Sequence, residues 1–359
     1  MKAAWLFFIV AVWLLGSTPA RAADVEAASG GIARQYPADN GIGRHPNVIF
    51  AEAFEDDGWP SRFGYRGPAG SITVSGESGW AGRGARLHAN SKRHYVDLRY
   101  AFGAKGKPEP EELYFRYRFR YDEKLLAMPG GKWLGFGGTY GRAGWGGRAV
   151  NGRDGWSARG CFHIYGKGIR IGYYCYHADM KGRYGNTWNW PDLLLPDRWY
   201  TVECYVKLNT PGAGGGRGQN DGILRGWLDG RRVFEKTGIR FRDVNKLKIE
   251  TVWLNFGTGK APADGITLDI DNVVIAGSYI GPVAERTEAP KTEAPKPVDV
   301  AGEKSRTENR KAAKLYRSAR DAERRGMKPI ARMLYERLVK EYPDSQLAEE
   351  AKQRLGSGS

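Results

Sequence analysis

Residues 157–176 read SARGCFHIYGKGIRIGYYCY. Two runs rich in β-branched and aromatic residues flank Gly166-Lys167, and a Gly-first two-residue loop is a favoured hairpin connection. In that register Tyr165 pairs with Gly168, Arg159 with Tyr174, and Ser157 with Tyr176. Directly opposed residues of an antiparallel pair share a face, so a hydroxyl, a guanidinium and two phenols project together. A one-residue slip would send both tyrosines to the other side. Four such groups on one sheet face suit an anionic, hydroxyl-rich ligand.

The chain on either side follows the same two-residue period. In residues 113–121, LYFRYRFRY, one face takes Leu, Phe, Tyr, Phe and Tyr and the other takes Tyr and three Arg. This pattern predicts a half-buried strand with a basic outer or groove-lining face. Strands are also predicted at 95–102, 132–137, 157–165, 168–177, 199–208, 223–228, 231–236, 248–256 and 266–276, with Asp229-Gly230 as a hairpin turn. Regular spacing of short strands indicates an all-β jelly roll or β-sandwich over residues 45–282. The Gly-rich loop at 211–222 lacks a strand–loop–helix context and is read as a connection, with no nucleotide site.

The termini differ. Residues 1–22 combine an early Lys, a short apolar run and an Ala-Arg-Ala ending, the pattern of a signal peptide cleaved after Ala22. Residues 23–44 lack periodicity and read as a flexible leader. The repeated TEAPK within 283–302 reads as a disordered linker. Residues 303–356 turn helical: Ala312, Ala313, Tyr316, Ala319 and Ala322 form one stripe, and Ile330, Leu334, Leu338 and Val339 the next. A Gly turn and the YPDS of 342–345 give this segment a likeness to about one and a half tetratricopeptide repeats, either a self-packed hairpin or a docking site for a protein partner.

The formal net charge of +16 suits an acidic partner, and in an exported chain without a nucleic-acid motif that partner is an acidic glycan. No segment suits insertion into a membrane, so the expected location is secreted or periplasmic. Cys161, Cys175 and Cys204 allow at most one disulfide, Cys175–Cys204, with buried free thiols as the alternative. Zinc is not expected, because no CxxC or HxxxH spacing occurs. No cofactor is expected, although Asp269, Asp271 and Asn272 offer oxygens to a structural calcium ion.

In their order and spacing, GGKWLGFGG (130–138), GWSAR (155–159), YYCYH (173–177), KGRYG (181–185), KLNTPG (207–212), DGILRGWLDG (221–230) and DIDNVVI (269–275) resemble polysaccharide lyase family 14, which includes alginate and other polyuronate lyases. The resemblance runs from roughly residue 50 to 280. It implies a cleft lined by a Lys, a Ser-x-Arg pair and a Tyr-x-Tyr pair, here Lys132, Ser157 and Arg159, and Tyr174 and Tyr176. β-Elimination of a 4-linked uronate requires neutralisation of the C6 carboxylate, removal of the C5 proton and protonation of the departing O4. On this reading Arg159 and Lys132 face the carboxylate, Tyr176 is the principal base and acid, and Tyr174 and Ser157 orient the sugar. His94 takes a secondary place in the cleft, and His177 points to the opposite face. Two other readings compete: a non-catalytic glycan-binding jelly roll, and a glycoside hydrolase. The last lacks a strand with carboxylates at cleft spacing.

Overall fold

The computed structural model of the protein describes residues 30–64, 70–284, 311–313, 315–323 and 327–356. The expected signal peptide and the linker from residue 285 onward lie outside the described residues. Contacts divide the chain into two units, 1–287 and 288–359.

The first unit is a two-sheet antiparallel sandwich of the jelly-roll class, as the strand spacing predicts. Its strands are β1 Val48–Glu52, β2 Ile72–Ser75, β3 Gly84–Ala89, β4 Tyr95–Ala101, β5 Glu112–Tyr121, β6 Gly131–Gly138, β7 Trp156–Tyr165, β8 Gly168–Tyr176, β9 Asn186–Asn189, β10 Tyr200–Lys207, β11 Gly222–Leu228, β12 Arg231–Ile239, β13 Thr251–Gly257 and β14 Ile266–Ala276. The first sheet runs β12-β11-β10-β5-β14-β3-β2, with β1 also on β14; the second runs β4-β13-β6-β7-β8-β9. One apolar core fills the space between them. Leu113, Phe115, Tyr117, Phe119 and Tyr121 enter it from β5, and Trp133, Phe136, Phe162, Leu254 and Phe256 from the facing sheet.

Two turns follow the sequence reading closely. Tyr165 pairs with Gly168 around Gly166-Lys167, and Gly166 has φ 57°. Asp229 and Gly230 both have positive φ (48° and 81°), the requirement of the tightest hairpin turn.

Two expectations change. Residues 30–44 are not a free leader: Ile32, Ala33 and Ile42 are buried, and the Ile32 and Ala33 amides donate to the Tyr279 and Ile280 carbonyls (3.1 and 2.8 Å). The polar face of β5 does not line a groove. It is covered: Arg116, 0% exposed, pairs with Asp39, Arg118 lies 3.6 Å from the centroid of the Trp80 ring, and Arg120 pairs with Asp269 at 2.6 Å. Alternating strand chemistry reports which face is polar, and here a docked N-terminal segment supplies the buried counter-ion. Of the two readings open for the cysteines, the structure takes the second: Cys161, Cys175 and Cys204 are all buried free thiols.

The calcium candidates are committed elsewhere. Asp269 takes two guanidinium groups, from Arg86 and Arg120, and Asp271 accepts the Trp80 and Asn272 amides (2.9 and 2.7 Å). Among the described residues no group of three or more potential ligands is assembled.

The second unit packs Ala312, Ala319 and Ala322 against Ala331, Tyr335 and Leu338 of the helix Lys328–Glu341, and Ala351 of the helix Gln346–Gly356 joins them. Ile330 leaves the expected stripe, being 45% exposed, and Ala331 takes its place. Among the described residues no helix is long and apolar enough to cross a membrane.

Removing one partner of a buried ion pair strands the other charge. Asp39→Ala should therefore lower the unfolding free energy of the β-unit by about 3–5 kcal/mol in urea titration. An effect below about 1 kcal/mol would mean that the N-terminal segment does not hold Arg116 in solution.

Candidate active site

The outer face of the second sheet carries the expected constellation, and the strand register explains how. Arg159 pairs with Tyr174 and Ser157 with Tyr176 across β7–β8, so all four share parity. Lys132 pairs with Cys161, which has the same parity as Arg159. Lys132 reaches this face only through an irregularity in β6. Trp133 pairs with Gly160 and Phe136 with Ala158, three residues against two, and both Trp133 and Leu134 turn into the core. Without that bulge strict alternation from Phe136 would point Lys132 into the core with Leu134 and turn Trp133 outward.

Glycines of the same motif make room for the next layer. A Cβ on Gly137 would stand 2.1 Å from the Trp253 ring. The indole instead lies against the sheet, and the Arg159 guanidinium sits 4.1 Å from its centroid. Asn255 accepts from Arg159 (3.4 Å) and donates to Asp97 (2.9 Å), which pairs with Arg99. Arg159 is thus held by a neutral amide and an indole, with the nearest carboxylate one residue removed. Asn255 was not among the expected site residues. Its signal was a lone polar side chain inside the apolar run VWLNF of residues 252–256.

Lys132 is half-buried, with Nζ 4.8 Å from the Tyr174 ring centroid. Among the described residues it makes no hydrogen bond or ion pair. Burial, and after it the Arg159 charge, bring its ammonium down to about 8. The opposite holds for Tyr174: burial first, then its hydrogen bond with Tyr176, push the phenol well above its ordinary value. The two hydroxyls are 3.3 Å apart; that of Tyr174 accepts the Gly185 amide (3.2 Å) and that of Tyr176 the Gly147 amide (3.1 Å).

The loop between β6 and β7 alters two expected roles. Ser157 is 0% exposed and donates to the Gly144 carbonyl (2.7 Å), so its hydroxyl positions the loop and is not open to a sugar. Tyr176 is 1% exposed beneath Ala143 and Val150, which leaves half-buried Tyr174 as the more accessible phenol. His94 is exposed just before β4, its carbonyl accepting the Thr258 amide (3.0 Å). It lies level with Lys132 but two strands away, roughly 10 Å across the sheet, and its imidazole makes no hydrogen bond among the described residues. His177 turns away from the face, as expected, and bonds Asn186 (2.9 Å).

No family model and no curated protein matches the chain. Solved structures of similar fold do. A double mutant of an alginate lyase, in complex with alginate tetrasaccharide, is 17% identical over 65% of this chain and 95% of its own, with a TM-score of 0.49. A PL-14 alginate lyase from Aplysia kurodai is 15% identical over 57% and 86%, at 0.44. An endo-β-1,4-glucuronan lyase from the fungus Trichoderma reesei is 16% identical over 65% and 96%, at 0.45. At these identities the likeness is one of fold.

The Lys132 shift has a stability consequence. Below about pH 8 the fold holds an ammonium it disfavours; between about 8 and 10.5 folded Lys132 is neutral while the unfolded chain still binds the proton. Its penalty therefore fades as pH rises through that window. Lys132→Met should raise stability at pH 7 by on the order of 1–3 kcal/mol, with the gain shrinking towards pH 10 in parallel denaturation curves. A gain independent of pH would mean Lys132 is not desolvated.

Proposed function

We propose that this chain is an exported polysaccharide lyase that cleaves a uronate polymer by β-elimination. One observation carries the reading: Lys132 and Arg159, two cations without a carboxylate partner among the described residues, share a sheet face with the phenols of Tyr174 and Tyr176. A carboxylate-bearing sugar supplies the missing negative charge, and such a face would repel a cationic or bind poorly a neutral one.

The opposed pKa shifts suggest a division of labour. Arg159 pairs with the C6 carboxylate, which lowers the barrier to carbanion character at C5. Neutral Lys132 removes the C5 proton, the electron pair forms the C4–C5 double bond, and the C4–O4 bond breaks. Tyr174, protonated because its pKa is raised, gives its proton to O4. Transfer of a proton from the Lys132 ammonium to the Tyr174 phenolate restores both groups. Tyr176 braces the Tyr174 hydroxyl and the loop at Gly147, and Ser157 fixes that loop at Gly144. The base assigned to Tyr176 on sequence grounds thus passes to Lys132, whose pKa suits the task near neutrality.

Alginate and glucuronan are the polymers to assay first, by the ultraviolet absorbance of the unsaturated product. Tyr174→Phe and Lys132→Ala should each lower turnover by about 10²–10⁴-fold, and Tyr176→Phe by less. Binding that survives all three changes, with no product from any polyuronate, would leave a glycan-binding module instead.

The pH profile separates the two roles open to Lys132. As a base it must be neutral, so kcat should rise with pH through about 8. A profile that falls through the same value would make Lys132 the ammonium that holds the carboxylate, and would return the base to a tyrosine.

A further inference from the structure

His177 follows Tyr176 but projects to the other side of β8, into a separate cavity of about 390 Å³. That size lies within the range of small-molecule sites. The cavity opens on the flank of the sandwich, where edge strand β9 of one sheet comes beside edge strand β12 of the other. Trp188 of β9 presents a half-buried indole there, with His177 5.6 Å from its centroid and the Lys236 ammonium 5.7 Å from it. His177 Nε2 bonds the Asn186 side-chain oxygen at 2.9 Å, a bond that does not use the Asn186 amide N–H groups.

The electrostatics of the flank are uneven. Asp179, the one acidic lining residue, is held below the usual carboxylate range, at about 2, chiefly by its hydrogen bond with Arg240, and it also takes Arg217 and Asn220. Its charge is therefore already matched. Lys181 and Lys236 line the same cavity and make no ion pair among the described residues. An aromatic face, an oriented amide and two unmatched ammonium groups fit a pyranose ring bearing a carboxylate.

We infer that this flank cavity is a second, non-catalytic binding site for an acidic sugar residue, engaged by a polymer that passes round β9 from the Lys132 face. The inference deepens the proposed function and rests on it for the identity of the sugar. A long polyuronate would reach both sites and gain avidity, whereas a short oligomer would fill only one.

The test uses the full chain carrying Lys132→Ala, so that polymer is bound without being consumed, and measures retardation in gels containing alginate or glucuronan. Lys181→Glu/Lys236→Glu, both exposed positions, should weaken retention about tenfold or more. Trp188→Ala should do the same, with circular dichroism verifying its fold. In the Lys132-intact chain the same flank changes should leave kcat on a tetrasaccharide unaltered and raise the apparent KM for polymer only. Retention unchanged by the charge reversals overturns the flank site, whatever the lyase assay gives. Retention lost through the flank changes in a chain that cleaves no uronate would keep the site and overturn the catalytic reading alone.

Discussion

Everything on the candidate catalytic face depends on strand parity. A pleated strand gives alternate residues to opposite sides, so groups that must act together need matching registers across several strands. Here β7 and β8 supply Arg159, Tyr174 and Tyr176 by simple pairing, but Lys132 sits out of phase with Gly135 and Gly137 of its own strand. The extra residue at Trp133-Leu134 corrects the phase. The core gains a second side chain at that point, and the outer face gains an ammonium.

The same face is electrostatically unsatisfied. Several guanidinium groups elsewhere in the β-unit meet carboxylates: Arg116 meets Asp39, Arg120 meets Asp269 and Arg240 meets Asp179. Arg159 meets Asn255 and Trp253, and Lys132 meets the ring of Tyr174. Holding two cations together without counter-ions costs stability, and that cost is a common mark of a site kept for a ligand. Asn255 stands between Arg159 and Asp97, bonded to both.

Much of this was legible in the chain. A two-residue turn fixed the register of one hairpin, and the register fixed which side chains share a face. Local signals of that kind carry their own geometry. Long-range ones do not. The close approach of the Trp253 ring to Gly137 joins residues 116 positions apart, and nothing in either neighbourhood announces it. The burial of Ser157 and Tyr176 depends on a loop whose path is set by its glycines and by the hydroxyls it covers. The docking of residues 30–44 escaped notice because short 3-10 turns have no strong period, and their apolar residues are few. Asn255 could have been found by asking why an amide stands in a buried strand.

The tie between Ile32-Ala33 and Tyr279-Ile280 bears on how the chain assembles. Residues near the start of the described β-unit close on residues near its end, and β14, the final strand, lies between β5 and β3. A chain emerging from one end can build the β6–β7–β8 meander early, yet the opposite sheet stays split until residue 276 has arrived. Its contacts are among the most non-local a domain of this size can make, which favours slow closure. During vectorial threading through a narrow pore the polypeptide would accordingly stay open until nearly all of the domain had passed.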